Sequence, residues 1–235
     1  MKKTDVLKAK MPYWKSAAAE FKSIKQITAA ALLVALAIVI KMFDVYIIPG
    51  VLRVSFSYIP IALCSFVTGP LVAIPCGILA DVVGVFWRGE QIFFGYTISA
   101  MVQSVLFALF FYRKETITLP RIMGARACVN LLVNVLMSSA WRYMMAGGEY
   151  FFYVFTSGLK NLIMLPFEVI ILVIFLRALI PPLKKLKMIP STTLKIDKTD
   201  IILTCVLFAL IAVLVVLYFG NYTEINGFVR NLLTK

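Results

Sequence analysis

The sequence predicts an all-α integral membrane protein that has a six-helix core and one extra transmembrane helix near its carboxyl end. Of the 235 residues, 62% are hydrophobic, whereas a soluble domain is about half apolar. The apolar residues fall into long runs, and about twenty apolar residues allow a helix to cross a bilayer. Lys and Arg are concentrated in alternate gaps between these runs, as in the cytoplasmic loops of membrane proteins. These three observations together favour a multi-pass fold in the lipid bilayer.

Seven candidate spans follow one another along the chain. The second and third are short, and Gly69-Pro70 between them is typical of a tight turn. A Pro- and Lys-rich stretch precedes the seventh, which is therefore predicted as an appendage to the other six. The predicted spans are 27–47, 54–68, 70–87, 92–112, 122–144, 153–180 and 200–219. The predicted regions are a basic tail over 1–26, a ligand-binding membrane core over 27–182, a linker over 183–199 and an additional helix with an outside tail over 200–235.

The amino terminus is predicted to be cytoplasmic. Seven lysines occur between Lys2 and Lys25, and alternation of the spans places the other strongly basic gaps on the same side. The formal net charge of +13 therefore reflects membrane orientation and does not indicate binding to nucleic acid.

The composition argues against an enzyme. The chain contains no histidine, the commonest metal ligand and general base. Its four cysteines lie inside apolar runs, so we interpret them as core residues and not as disulfides or metal ligands. No convincing nucleophile–base pair and no GxxxxGK[ST] phosphate loop occur. We expect no cofactor and no metal, and any use of ATP requires a separate ATPase subunit.

Charged and amide side chains interrupt the sixth span. Lys160, Asn161 and Glu168 occur within a run that is otherwise apolar. A charge in the hydrocarbon region costs about 2.5–3.5 kcal/mol on insertion scales, so it normally faces a cavity, a partner or a ligand. Asn161 and Glu168 are seven residues apart and share a helix face, and Pro166 frees a backbone carbonyl one turn earlier. This span therefore predicts a polar site at membrane depth.

The fifth span carries a polar residue at every fourth position. One interpretation is hydrogen bonding between helices, and the other is a ligand site. We expect Arg126, the first residue of this stripe, to extend to the cytoplasmic face. We expect Asn134, Trp141 and Arg142 to be the better ligand candidates. The stripe consists of Arg126, Asn130, Asn134, Ser138 and Arg142.

Two further spans add polar residues. Ser99 and Gln103 share a face of the fourth span with a tyrosine. Asp81 is the single acid of the third span, and it either forms an ion pair with Arg53 or Arg142 or accepts hydrogen bonds from a ligand. The third to sixth spans can thus surround an outward-facing cavity that suits a polar heteroaromatic ligand.

The first span carries small residues at one face. Ala31 and Ala35 are four residues apart, and small residues allow another helix to approach closely. This face either packs inside the protein or docks on a partner membrane subunit.

Four motifs occur in a characteristic order. They read LeuArgValSerPheSerTyrIlePro at 52–60, ThrGlyPro at 68–70, GlyIleLeuAlaAspValValGly at 77–84 and LysAsnLeuIleMetLeuPro at 160–166. Over roughly residues 25–182 the chain resembles the S components of energy-coupling factor (ECF) vitamin transporters, the substrate-binding membrane subunits, and most closely the folate-specific ones.

This resemblance implies a six-helix S-component core that captures a vitamin from outside. It also implies docking on an ECF transmembrane coupling subunit and two ATPase subunits in the cell membrane of a bacterium. The seventh span departs from the six-helix pattern, and Glu168 has only a general polar role. The predicted docking residues are Ala31 and Ala35. The predicted ligand-binding residues are Arg53, Asp81, Ser99, Gln103, Asn134, Trp141, Arg142, Lys160 and Asn161.

The expected function is therefore that of a high-affinity binding subunit for folate or a pterin-like vitamin. The alternatives are an S component for another vitamin or heteroaromatic base, a stand-alone secondary transporter, and an intramembrane enzyme. The short chain and the absence of an inverted repeat argue against the stand-alone transporter.

Overall fold

A computed structural model describes residues 23–48, 52–89, 91–186, 188–189 and 192–197, together with 17, 20, 21, 199, 202, 204, 206 and 213. The helices are α1 (Ile24–Met42), α2 (Tyr58–Arg88), α3 (Phe94–Phe111), α4 (Leu119–Val129), a π-helix (Asn130–Met137), α5 (Ser138–Ala146) and α6 (Tyr150–Lys185). The strands are β1 (Val45–Ile48), β2 (Leu52–Val54), β3 (Thr116–Thr118) and β4 (Thr193–Lys195). The prediction of an all-α membrane fold is confirmed, since the strands are short and lie in the connections.

Five helices in the described part of the chain are long and apolar enough to cross a membrane. They are α1, α2, α3, the continuous rod Leu119–Ala146 and α6. Their centres match the predicted spans, with ends that differ by up to about five residues. The exact number of spans in the core stays a prediction, because α2 is not a single straight helix.

Helix α2 folds back on itself at Gly69. The backbone there has a φ of 76°, which favours glycine, and a Cβ atom would lie 2.8 Å from the ring of Tyr112. Pro70 then begins the second arm, a position where its missing N–H is harmless. The side chains of Cys64 and Cys76 meet, although residues twelve apart in a straight helix would be about 18 Å apart. The two arms therefore run antiparallel, as the Gly-Pro turn predicted.

The first arm of α2 lies in the middle of the protein. Every residue over 58–70 is buried, so this short helix has no lipid-facing side. The principal hydrophobic core forms around it, from residues such as Phe66, Phe107 and Leu172. An arm that is apolar on all faces is typical of a helix enclosed by others.

Helix α1 packs along α2 through one face only. Gln26, Ala30, Val34, Ala37 and Lys41 are buried at helical spacing. The opposite side, which includes both predicted docking alanines, is exposed.

The predicted linker 183–199 makes ordered contacts with the core. Helix α6 continues to Lys185, and β4 pairs in parallel with β3. Thr192 is fully buried, and its hydroxyl donates to the carbonyl of Lys114 over 3.0 Å. The seventh span, 200–219, and the basic tail, 1–26, lie largely outside the described residues, so these parts of the predicted division stay predictions.

Candidate functional site

A cavity of about 470 Å³ opens between the helices on one side of the buried first arm. Its size is within the range of small-molecule sites, about 300–1,000 Å³. One wall comes from α1, the second arm of α2 and α3, and the other from the rod Leu119–Ala146 and α6. The residues with polar groups that line it are Lys41, Ser55, Ser57, Tyr58, Asp81, Arg88, Gln91, Tyr96, Ser99, Gln103, Arg126, Asn134, Ser138, Arg142, Ser157, Lys160, Asn161 and Glu168.

The structure brings most of the residues predicted from the sequence together around this cavity. Seven of the nine line it: Asp81, Ser99, Gln103, Asn134, Arg142, Lys160 and Asn161. The backbone of Arg53 lies in β2, but its side chain is not among those that the structure describes. The ligand role of each of these residues stays a prediction.

Trp141 lies behind the residues that line the cavity and contacts two of them. Its indole N–H donates to the hydroxyl of Ser99 over 2.9 Å, and its ring lies 5.9 Å from that of Phe93, centroid to centroid. It therefore joins α5 to α3 and orients a hydroxyl that faces the cavity. The sequence favoured Trp141 as a ligand-contacting residue, whereas in the structure it contacts Ser99 and Phe93, which line the cavity.

Asp81 forms an ion pair with Lys41, not with Arg142 as one interpretation of the sequence had it. The Lys41 Nζ atom lies 3.0 Å from one carboxylate oxygen of Asp81, and the hydroxyl of Thr97 donates to the other over 3.2 Å. Gly84 leaves room for this lysine, since a Cβ atom there would lie 2.7 Å from the Cδ atom of Lys41 and the side chain would have to shift. The close packing of α1 on α2 thus brings Asp81 next to Lys41, which stands near the end of the first predicted span.

The floor of the cavity is a second ion pair, between Arg126 and Glu168. The two side chains form a fork with N–O distances of 2.9 and 2.5 Å, and Asn130 donates to the same carboxylate over 2.7 Å. The guanidinium lies 3.9 Å from the centroid of the Tyr58 ring. The expectation that Arg126 reaches the cytoplasmic face is wrong, since its side chain is 3% exposed. A carboxylate at membrane depth needs a cation, and Arg126 supplies it.

A ladder of amides rises from this floor. The Nδ2 atom of Asn134 donates to the Oδ1 atoms of Asn130, over 2.9 Å, and Asn161, over 3.3 Å. Asn161 in turn donates to the carbonyl of Ser157 over 2.8 Å. Arg142 donates to the hydroxyl of Ser157 and, over 3.3 Å, to the carbonyl of Ser138. The polar stripe of the fifth span and the amide of the sixth span therefore form one continuous network.

The π-helix keeps this stripe in line. A step of four residues over-rotates by about 40° in an α-helix of 3.6 residues per turn, so a long stripe at that spacing drifts around the helix. A π-helix has wider turns, and the eight residues Asn130–Met137 therefore rotate back. Asn134 and Ser138 therefore both line the cavity, while Asn130 is buried and contacts Asn134. The sequence pattern predicted the stripe but not the winding that keeps it straight.

The cavity carries an excess of positive charge. Five cationic side chains and two carboxylates are among its lining residues. Such a lining favours a ligand that carries negative charge. Among the residues that the structure describes, no three His, Cys, Asp or Glu side chains come together in a group that could hold a metal ion.

The sequence did not identify some of the residues that line the cavity. Lys41 and Arg88 stand near the ends of predicted spans, where charged residues are usual, and Ser55 and Ser57 lie in a connection. The one available signal was the LeuArgValSerPheSerTyrIlePro motif, which contains both serines.

These features define a multi-pass membrane protein that encloses a site for a small polar ligand between its helices. The family described as "ECF transporter, substrate-specific component" matches residues 25–180. The chain therefore belongs to the substrate-specific component family of ECF transporters, and the matched family consists of transporter components.

Two curated relatives and one solved structure are similar to this chain. The "Folate transporter FolT" of Clostridium novyi is 32% identical over 124 residues, which are 52% of this chain and 71% of the relative. The "Folate transporter FolT" of Leuconostoc mesenteroides is 28% identical over 151 residues, which are 62% of this chain and 80% of the relative. The "Crystal structure of FolT bound with folic acid" has a TM-score of 0.58 and 28% identity and covers 64% of this chain and 91% of that chain.

Proposed function

We propose that this protein is the folate-binding subunit of an ECF-type importer. The observation that carries the proposal is the cavity, whose amide ladder and excess of cations suit a ligand with a polar heteroaromatic ring and carboxylates. Folate has both parts, and the relatives that this chain resembles are named folate transporters. The ring needs hydrogen-bonding partners in the interior, and the carboxylates need cations.

Within this proposal the two walls have different tasks. Asn134, Lys160 and Asn161 contact the ligand from the rod and α6, while Asp81 contacts it from α2. The basic residues Lys41 and Arg88 are placed where they can attract the carboxylates of the tail. Ser99 and Gln103 add hydrogen bonds from α3. Arg53 is proposed to contribute from the connection that follows α1.

Uptake then requires other subunits. The sequence contains no phosphate loop, so we propose that two ATPase subunits and a transmembrane coupling subunit supply the energy. The Ala31 and Ala35 face of α1 is proposed as the docking surface. Its exposure supports docking over internal packing. The protein is proposed to lie in a bacterial cell membrane with its amino terminus in the cytoplasm, with 27–182 as the binding core and 200–235 as an additional helix and outside tail.

The decisive experiment separates binding from uptake. The full chain is purified in detergent, and any co-purifying small molecule is identified by mass and ultraviolet spectrum. Folate or a close pterin is the expected result. Uptake of radiolabelled folic acid is then measured in cells with and without an ECF coupling subunit and ATPases. Uptake without those subunits would contradict the proposal and favour a stand-alone transporter, and a co-purified ligand of another class would contradict the folate assignment.

A further inference from the structure

The carboxylate of Glu168 determines how the amide of Asn130 is oriented. An ionised carboxylate can only accept hydrogen bonds, so the group that faces it has to be the NH₂ of Asn130. The Nδ2 atom of Asn130 lies 2.7 Å from the Oε2 atom of Glu168. The Oδ1 atom of Asn130 therefore points the other way, toward Asn134. The reversed amide would place two acceptors against each other.

Asn161 orients the amide of Asn134 in the same way from a second side. Asn161 donates its NH₂ to the backbone carbonyl of Ser157, which is also only an acceptor. The Oδ1 atom of Asn161 is consequently presented to Asn134, and both hydrogens of the Asn134 Nδ2 atom face an oxygen. In the part of the chain that the structure describes, no hydrogen bond to the Oδ1 atom of Asn134 is found, and Asn134 lines the cavity.

We propose that Glu168 is a positioning residue that acts through Asn130 to hold the Oδ1 atom of Asn134 toward the ligand as a hydrogen-bond acceptor. The site then selects ligands whose bound edge carries an N–H donor. This inference depends on the proposed function, in which the donor is the exocyclic amino group of the pterin ring. The Arg126–Glu168 pair thus does more than link two helices. It determines that Asn134 presents a hydrogen-bond acceptor, and not a donor, to the ligand.

A merely structural role for Glu168 makes a different prediction. Loss of a structural ion pair loosens the site and weakens every ligand to a similar degree. Loss of the fixed orientation of the Asn134 amide changes the preference between two ligands that differ only in the N–H donor. The informative quantity is therefore the ratio of two dissociation constants measured on the same protein, for folic acid and for 2-desaminofolic acid, in which hydrogen replaces the amino group.

The experiment measures this ratio by calorimetry for the full chain in detergent. The wild type should prefer folic acid by about tenfold, the size expected for one hydrogen bond. Glu168→Gln, whose amide can donate or accept, should lower the ratio to between the wild-type value and one, because Asn161 still presents its Oδ1 atom to Asn134. Glu168→Asp keeps an acceptor-only group and should retain most of the preference. Lys184→Ala, outside the cavity, is the control and should behave as the wild type.

A second variant tests the inference independently in case Glu168→Gln does not fold. Asn130→Leu leaves the Arg126–Glu168 pair intact but removes the relay to Asn134, and it should lower the ratio as Glu168→Gln does. A wild type that binds both ligands equally, or variants that keep the wild-type ratio, would overturn the inference while leaving the proposed function intact. A wild type that does not bind folic acid would overturn the proposed function and the inference together.

Discussion

The two ion pairs that line the cavity differ in how completely their hydrogen-bonding capacity is used. Glu168 accepts three hydrogen bonds, two of them from the fork of Arg126, whereas each oxygen of Asp81 accepts one. Both carboxylates are 13% exposed. A carboxylate has about four acceptor positions, so Asp81 keeps more capacity for a ligand. The Arg126–Glu168 pair at the floor (the floor pair) is therefore a fixed support. The Lys41–Asp81 pair in the wall (the wall pair) is a contact that a ligand can join.

The largest expected effect comes from breaking the floor pair. Glu168→Ala leaves the guanidinium of Arg126 buried without its carboxylate, and removal of one member of a buried pair costs about 3–5 kcal/mol. We expect the free energy of unfolding to fall by that amount, measured by denaturant titration in detergent. The matched control is Arg126→Met combined with Glu168→Leu, which should recover much of the loss. Equal losses in the single and double variants would show that the pair is not the source of the effect.

The next effect concerns ligand affinity at the wall formed by the rod Leu119–Ala146 and α6. Lys160→Ala should weaken folate binding by about 2–5 kcal/mol if it removes one partner of a buried charged contact. Asn161→Ala should weaken it by about tenfold or more, since it removes both a donor and an acceptor. Calorimetry measures both, with Lys184→Ala, in the last turn of α6 and outside the cavity, as the unchanged control. Variants that fold and bind like the wild type would show that the LysAsn pair is structural.

A smaller effect is expected at the wall pair. Asp81→Asn keeps the shape of the side chain but removes its charge and part of its acceptor capacity. Folate should bind about tenfold more weakly, the size of one hydrogen bond to a charged group. The free energy of unfolding should fall less than in Glu168→Ala, because the amide oxygen of Asp81→Asn can still accept a hydrogen bond from Lys41. A variant that loses stability as Glu168→Ala does, with unchanged affinity, would reverse the assignment of the two pairs.

The smallest expected effect on affinity comes from α1. Ala31→Leu combined with Ala35→Leu changes an exposed face, so folate binding should remain at the wild-type level. Association with the coupling subunit should be lost, because larger side chains keep two helices apart. Co-purification with that subunit measures this. A double variant that still co-purifies at the wild-type level would show that the complex forms through another face.

The sequence predicted the parts of this molecule that depend on local pattern. Apolar runs identified the helices, Gly69-Pro70 identified the reversal of α2, and spacing along single helices identified the amide stripe. It did not predict which charges pair, because the contacts of Lys41 with Asp81 and of Arg126 with Glu168 join residues 40 and 42 positions apart. Such contacts depend on how the helices pack against one another, which the pattern along a single helix does not contain.

The claim that the amide-lined cavity binds folate is tested most directly by titration of the full chain with folic acid in the absence of ATP and of any partner subunit. Calorimetry should show one folate bound per chain, and soaked crystals should place its ring against Asn134 and Asn161. No heat with folic acid or any reduced folate, from a protein that retains its folded state, would contradict the account.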